Sequence, residues 1–280
     1  MASPEPGALL GARRLRAAFE ARDLRPTKAL GQNFVVDPNT IRKVVDVAGV
    51  EPTDRVLEVG AGAGSLTLGL AAAAKHVTAL EFDRRLLPVL DEMLAGVTNV
   101  DVVAADVLEI DLSTIDAGIL VANLPYNIAV PVVVRVLEQA PDVQTLVVMT
   151  QREVGERLVA GPGSKTYGQV SVIVRYFARA SLAAKVSRQA FWPVPNVDSV
   201  LVRLERVAPP TGTDRSHLFR VIKAGFAQRR KTLRNALAAA GFSQVEAAMA
   251  AAGVAPTARA EDLELAHFVL LAQNLPEGTA

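Results

Sequence analysis

Short, largely apolar runs recur through the first two thirds of the chain, at Arg55–Val59, His76–Leu80, Val100–Val103, Gly118–Ala122 and Val143–Met149. Between them lie stretches of helical composition at Ser65–Ala74, Arg84–Leu94, Pro131–Gln139 and Arg152–Leu158, with Pro88 in the early turns of the second. Continuous apolar runs of this length suit strands buried on both faces, and their alternation with helices predicts a mostly parallel, doubly wound sheet. Val197–Leu204 alternates between apolar and polar residues and suits an added, partly antiparallel strand.

The pattern changes after Ala208-Pro209-Pro210-Thr211-Gly212. Beyond this break the apolar positions follow helical spacing only. A helix capped near Asp214-Arg215-Ser216 is expected to run through Phe226, followed by helices at Ala236–Ala240, Gln244–Ala252 and Glu261–Gln273. Gly241 and Gly253 punctuate them. A domain boundary is placed near residue 209.

Composition narrows the function classes. Of 280 residues, 50% are apolar and 21% charged, which supports a full core and excludes wholesale disorder. Cysteine is absent, so disulfides, thiolate nucleophiles and thiolate metal sites are excluded. The histidines, His76, His217 and His267, stand singly without metal-ligand spacing, and no metal is expected. No apolar run approaches the roughly 20 residues needed to span a bilayer, and the arginine-rich start lacks the apolar segment of a secretory signal. A soluble, cytoplasmic protein is expected. The net charge of +1 conceals segregation: residues 1–43 carry +4, 44–184 carry −7, 185–235 carry +8 and 236–280 carry −4. Two basic blocks around an acidic centre suit a polyanionic partner, although solvated helix faces would give the same count.

The candidate chemistry begins where the first strand ends, in Glu58-Val59-Gly60-Ala61-Gly62-Ala63-Gly64-Ser65. A glycine turn between strand and helix lets the backbone approach a ligand at the carboxyl edge of the sheet. The dinucleotide fingerprint would need a third glycine where Ser65 stands, which disfavours a nicotinamide dehydrogenase. The G-x-G-x-G spacing instead resembles the S-adenosylmethionine turn of Rossmann-like methyltransferases. Glu81 follows the next strand, where a carboxylate can accept from both ribose hydroxyls. Asp106, followed by Val107, comes after the third strand and can accept from the adenine amine of the cofactor.

The fourth strand runs into Asn123-Leu124-Pro125-Tyr126-Asn127-Ile128. Asn-Leu-Pro-Tyr followed by Asn-Ile is similar to the acceptor loop of rRNA adenine N6-dimethyltransferases. An adenine amine is a poor nucleophile because its lone pair is delocalised into the ring. By resemblance, Asn123 and the Leu124 carbonyl accept its protons, Pro125 stiffens the turn and Tyr126 stacks on an extruded base. Lys28-Ala29-Leu30-Gly31-Gln32-Asn33-Phe34-Val35 resembles the family's Gly-Gln-Asn-Phe-Leu motif, with Val35 in place of the usual leucine. The resemblance makes Gln32, Asn33 and Val35 cofactor contacts, with Gly60, Gly62, Glu81, Asp106, Val107 and Asn123. Read without it, the stretch is a polar loop leading into a helix.

Two downstream segments point to the KsgA/RsmA-type small-subunit (16S) rRNA adenine N6,N6-dimethyltransferase family. Phe191-Trp192-Pro193-Val194-Pro195-Asn196-Val197-Asp198-Ser199 is similar to its Phe-x-Pro-x-Pro-x-Val-Asp-Ser segment. Phe226-Ala227-Gln228-Arg229-Arg230-Lys231-Thr232-Leu233-Arg234-Asn235 is similar to its Phe-x-x-Arg-Arg-Lys-Thr-Leu-Arg-Asn block. On one helix Phe226, Leu233 and Leu237 would share a face and leave the cations free, so Arg229, Arg230, Lys231 and Arg234 are expected to bind RNA phosphate. The resemblance implies an α/β, Rossmann-like class I methyltransferase sheet with a small C-terminal all-helical domain. It divides the chain into a basic extension (1–27), a methyltransferase domain (28–208) and a helical RNA-binding domain (209–280). It further implies S-adenosyl-L-methionine as cofactor and dimethylation of two adjacent adenines near the 3′ end of 16S rRNA within the immature small subunit, during ribosome assembly; nothing in the sequence demands a dimer, and a monomer is expected. The sibling enzymes that methylate large-subunit rRNA are disfavoured by Gly31-Gln32-Asn33, by Asn-Leu before Pro125, and by the 226–235 block. A primary role as an assembly checkpoint stays open beside catalysis.

Overall fold

A computed structural model of the chain describes residues 11–27, 30–125, 127–228 and 230–276. Two compact units emerge: Met1–Gly155 with Ala180–Arg206, and Glu156–Arg179 with Val207–Ala280. The first is built on a sheet of seven strands among the described residues. These are β2 (Arg55–Val59), β3 (His76–Glu81), β4 (Val100–Ala104), β5 (Ile119–Asn123), β6 (Thr145–Gln151), β7 (Ala178–Val186) and β9 (Ser199–Arg206). Their order across the sheet is β4-β3-β2-β5-β6-β9-β7. The strands from β2 to β6 pair in parallel, while β9 runs antiparallel to β6, with Ser199 opposite Gln151. The central strands are sealed by residues such as Leu57, Val77, Val121 and Val147, all essentially without solvent contact.

Helices α2 (Pro38–Ala48), α3 (Ser65–Ala73), α4 (Leu87–Met93) and α5 (Ala129–Gln139) belong to the same unit. Asp37 caps α2 by accepting from the Asn39 and Thr40 amides. Pro88 lies in the first turn of α4, where its missing N–H has no helical acceptor to serve. Ahead of these, α1 (Ala12–Glu20) lies inside the stretch read as a basic extension. It is amphipathic: Leu15, Ala18 and Phe19 are buried, and Phe19 meets Phe34 and Trp192 edge-on at 5.3 and 5.2 Å. Phe34 and Trp192 pair through a two-stranded antiparallel ribbon, β1 (Phe34–Val35) with β8 (Phe191–Trp192).

The second unit is helical: α6 (Arg152–Val159) runs into it, followed by α7 (Gln169–Phe177), α8 (Arg215–Phe226), α9 (Leu233–Ala239), α10 (Val245–Ala251) and α11 (Leu265–Asn274). Residues 156–179 therefore cluster with the C-terminal helices, whereas the boundary drawn near 209 kept them with the sheet. The cause is a set of long-range contacts: buried Tyr167 donates its hydroxyl to the Leu263 carbonyl at 2.7 Å, and Tyr176 and Phe177 meet Phe219 edge-on.

The helix expected to run through Phe226 does end there, the next begins at Leu233 instead of Ala236, and Phe226, Leu233 and Leu237 therefore do not share one helix. The helix α8 stops at Phe226, and Thr232 caps α9, while the Leu233 amide donates to the Ala258 carbonyl at 2.8 Å. Arg230 and Lys231 thus occupy a turn between two helices, and Arg234 lies in the first turn of α9.

Candidate active site

The parallel strands β3, β2 and β5 end side by side, with Val59 opposite both Leu80 and Ala122. Chain order reverses here, because β3 lies on one side of β2 and β5 on the other. Such a switch point opens a crevice beyond the carboxyl ends of the strands. One cavity fills it, lined by Gln32, Asn33, Val35, Gly60, Gly62, Glu81, Asp106, Val107, Asn123, Leu124 and Pro125, among others. Every described residue expected at the cofactor and acceptor sites is therefore brought to one place. Tyr126 and Arg229 lie outside the described residues, as do Lys28 and Ala29.

The floor is the glycine turn. Gly62 has φ +59°, and a Cβ there would stand 2.9 Å from the Phe34 ring, so a side chain is excluded by both backbone and space. The Gly62 amide donates to Glu81 Oε2 at 2.6 Å, and the Asp83 amide donates to Oε1 at 2.7 Å. Glu81 is nearly buried, and burial raises its carboxyl above the ordinary range while these two amides oppose the rise. Each oxygen keeps a second lone pair for a ligand hydroxyl.

Asp106 follows β4 and accepts from the Leu108 amide at 2.8 Å, which fixes the loop that carries buried Val107 into the cavity wall. On the opposite wall, Asn123 Nδ2 donates to the Asn33 backbone carbonyl at 2.9 Å. A carbonyl only accepts, so this bond decides the amide's orientation and leaves Oδ1 as the face for another donor. The Leu124 amide bonds the Met149 carbonyl, and the Pro125 carbonyl accepts from the Ile128 and Ala129 amides, so the acceptor loop is tied to β6 and to the start of α5.

Two lining residues escaped the sequence reading. Glu58 sits within β2 beneath the glycine turn, 1% exposed, and neither of its carboxyl oxygens has a hydrogen-bond partner. Burial pushes its carboxyl up to about 8, with the nearby Thr67 hydroxyl opposing the rise and Glu81 adding to it. The signal was one charge in an otherwise apolar strand core. Asp83, two residues beyond Glu81, is nearly buried too, and the Arg85 side chain beside it holds its carboxyl below the usual range. Its position in a polar loop concealed it.

In the helical unit Arg230, Lys231 and Arg234 are exposed, and Arg234 shares its charge with Glu246 at 2.7 Å. Among the described residues no group of three or more His, Asp or Glu could hold a metal, and no helix is long and apolar enough to cross a membrane.

Comparison with known proteins gives the site its family context. The family model described as ribosomal RNA adenine dimethylase matches residues 24–276. Ribosomal RNA small subunit methyltransferase A of Leifsonia xyli subsp. xyli is 50% identical, covering 94% of this chain and 98% of that protein. The protein of the same name from Streptomyces coelicolor is 46% identical over 98% of this chain and 99% of its own length. Among solved structures, the 23S rRNA methyltransferase ErmE superposes with a TM-score of 0.69 at 30% identity, covering 86% of this chain and 98% of that one. A dimethyladenosine transferase from Plasmodium falciparum shares the fold with a TM-score of 0.70 at 24% identity, over 84% of this chain and 94% of that one. The chain is a methyltransferase and belongs to the ribosomal RNA adenine dimethylase family.

Proposed function

We propose that this protein uses S-adenosyl-L-methionine to dimethylate the N6 amines of two adjacent adenines near the 3′ end of 16S rRNA in the immature small subunit. The observation that carries the reading is the Asn123 amide, whose nitrogen is held by the Asn33 carbonyl and whose oxygen is left for a donor in the wall of the cavity. Relatives named small subunit methyltransferase A at 45–50% identity favour the small subunit over the 30% likeness to a 23S rRNA enzyme.

The residues present suit the cofactor. Gly60 and Gly62 keep the floor clear, Glu81 would accept from the ribose hydroxyls, and Asp106 with Val107 would frame the adenine. Asn33 and Val35 would contribute backbone contacts, and Gln32 borders the same wall. When bound, S-adenosylmethionine supplies an electrophilic methyl group. Asn123 Oδ1 and the Leu124 carbonyl accept the two protons of the target amine and draw its nitrogen towards a tetrahedral form. Pro125 stiffens that loop, and Tyr126 stacks on the extruded base. The amine proton becomes acidic only once the methyl has moved, and water or the carbonyl acceptors of the loop then take it, so no strong base is required. Among the described lining residues there is no histidine or lysine. Arg229, Arg230, Lys231 and Arg234 neutralise RNA phosphates. Two dimethylations need four transfers, so cofactor and product exchange repeatedly at one site. Such a substrate belongs to the cytoplasm, where the protein acts as a monomer during subunit assembly.

The test is Asn123→Ala. Its hydrogen bond strengthens as the nitrogen becomes tetrahedral, so the variant should lose transfer rate far more than affinity for small subunits. Loss of binding with the rate per bound complex unchanged would remove Asn123 from the chemistry.

A further inference from the structure

Asp83 stands at the centre of a hydrogen-bond cluster that the reaction as described does not use. Its Oδ2 accepts from Gln32 Nε2 at 2.8 Å and from Arg85 Nη2 at 2.6 Å, while Oδ1 accepts from Arg85 Nε at 2.8 Å. Arg85 Nη2 also donates to Thr27 Oγ1 at 2.9 Å, and the Thr27 amide donates to Gln32 Oε1 at 2.8 Å. Both ends of the Gln32 amide are thus engaged by protein. Asp83 is only 7% exposed, which strengthens bonds made to its carboxylate relative to those of a solvated group.

Gln32 is flanked by the two residues that meet the acceptor loop. A Cβ on Gly31, which has φ +63°, would stand 3.0 Å from Pro125 Cβ, and the Asn33 carbonyl receives the Asn123 amide at 2.9 Å. Asp83 follows β3 and Asn123 ends β5, and these strands are separated by β2. Residues 31–33 therefore bridge two strand ends that do not touch through the sheet. One end of the bridge is clamped by Asp83, and the other orients Asn123.

We propose that Asp83 is a positioning residue for methyl transfer: by clamping Gln32 it seats Gly31 and Asn33 against the acceptor loop and holds the Asn123 amide oxygen towards the target amine. The proposal rests on the function proposed above, and it gives Gln32 the part of a clamp. Asp83 itself touches neither amine nor methyl group.

The test compares wild type, Asp83→Asn, Gln32→Glu and the double variant Asp83→Asn/Gln32→Glu. Two readouts are used: kcat and KM on small subunits, and amide hydrogen exchange of residues 30–36 in the cofactor-free protein. Asp83→Asn should lower kcat by about tenfold, as expected for one charge-assisted hydrogen bond, with KM for the subunit nearly unchanged. Gln32→Glu should do the same, because two carboxylates then face each other. Exchange at 30–36 should rise in both single variants while the helical unit stays protected. The double variant exchanges the roles of the pair: the amide now at position 83 donates to the carboxylate now at position 32. That carboxylate still accepts from the Thr27 amide and offers Arg85 a counter-charge. Rate and protection should then recover towards wild type, a non-additivity that two independent structural losses would not show. Unchanged exchange in both single variants, or a double variant no better than the product of the singles, would overturn the proposal. If Asp83→Asn fails to fold, Gln32→Glu and the double variant still decide it. A wild-type protein that leaves small-subunit rRNA unmodified would count against the proposed function instead, and the exchange comparison would still judge the clamp.

Discussion

Replacing Glu58 by glutamine should stabilise the cofactor-free protein, and the gain should grow with pH. Glu58 is 1% exposed, without a hydrogen-bond partner, and its carboxyl titrates near 8 instead of its ordinary 4.5. Between those values the folded state keeps a proton that the unfolded chain has released, so stability falls as pH rises. The slope is about 1.4 kcal/mol per pH unit, which accumulates to about 3 kcal/mol at pH 7 and about 5 kcal/mol above pH 8. Below about pH 4.5 both states hold the proton and the contribution disappears. Glutamine has nearly the same shape and does not ionise, so Glu58→Gln should melt within about 2 °C of wild type at pH 5. At pH 8 it should melt higher by about 10 °C, taking roughly 2 °C per kcal/mol for a chain of this size. Thermal unfolding followed by circular dichroism at pH 5, 6, 7 and 8 measures this directly. Melting temperatures of the two proteins that keep a constant separation across that range would show that Glu58 titrates normally, and the reasoning would fail.

Two further predictions concern binding. Glu81→Ala removes the proposed ribose acceptor and the partner of the Gly62 amide, and should weaken S-adenosylmethionine binding by about 2 kcal/mol in calorimetry; an unchanged dissociation constant in a folded variant would refute the assignment. Converting Arg230 and Lys231 to glutamine should weaken RNA binding and flatten its dependence on salt by roughly 0.7–0.9 in log–log slope for each phosphate no longer neutralised, leaving cofactor affinity intact. An unaltered slope would return these residues to a solvated turn.

The parts of the site that sequence made legible are those that sit where regular structure ends. A short apolar strand terminates visibly, so Gly60, Glu81, Asp106 and Asn123 could each be assigned to a strand end, and parallel pairing brings strand ends together without further information. What stayed hidden depends on contacts distant in sequence. The strand β7 is an edge of mostly exposed alanine and polar residues, with weak strand propensity and no clean alternation. The segment carrying α7 reads as an apolar run that fits strand or helix equally, and its place in the helical unit is decided by Tyr167, Tyr176 and Phe177 meeting residues far downstream. The spacing of Phe226, Leu233 and Leu237 fits one helix face, but Thr232 caps a new helix at Leu233, three residues before the start that the alanine-rich run suggests. Gln32 was visible as part of a motif, but its bond to Asp83 spans 51 positions and no local pattern encodes it.

Mass mapping of rRNA after incubation with the purified protein decides whether methyl transfer occurs at the proposed place. Immature small subunits lacking the modification should be supplied with S-adenosylmethionine, digested and analysed nucleotide by nucleotide. The expected product is N6,N6-dimethyladenosine at two adjacent adenines near the 3′ end of 16S rRNA, absent when Asn123→Ala replaces the wild type. Methyl groups on large-subunit rRNA, or none on those adenines with fully folded, cofactor-bound protein, would contradict the proposed function.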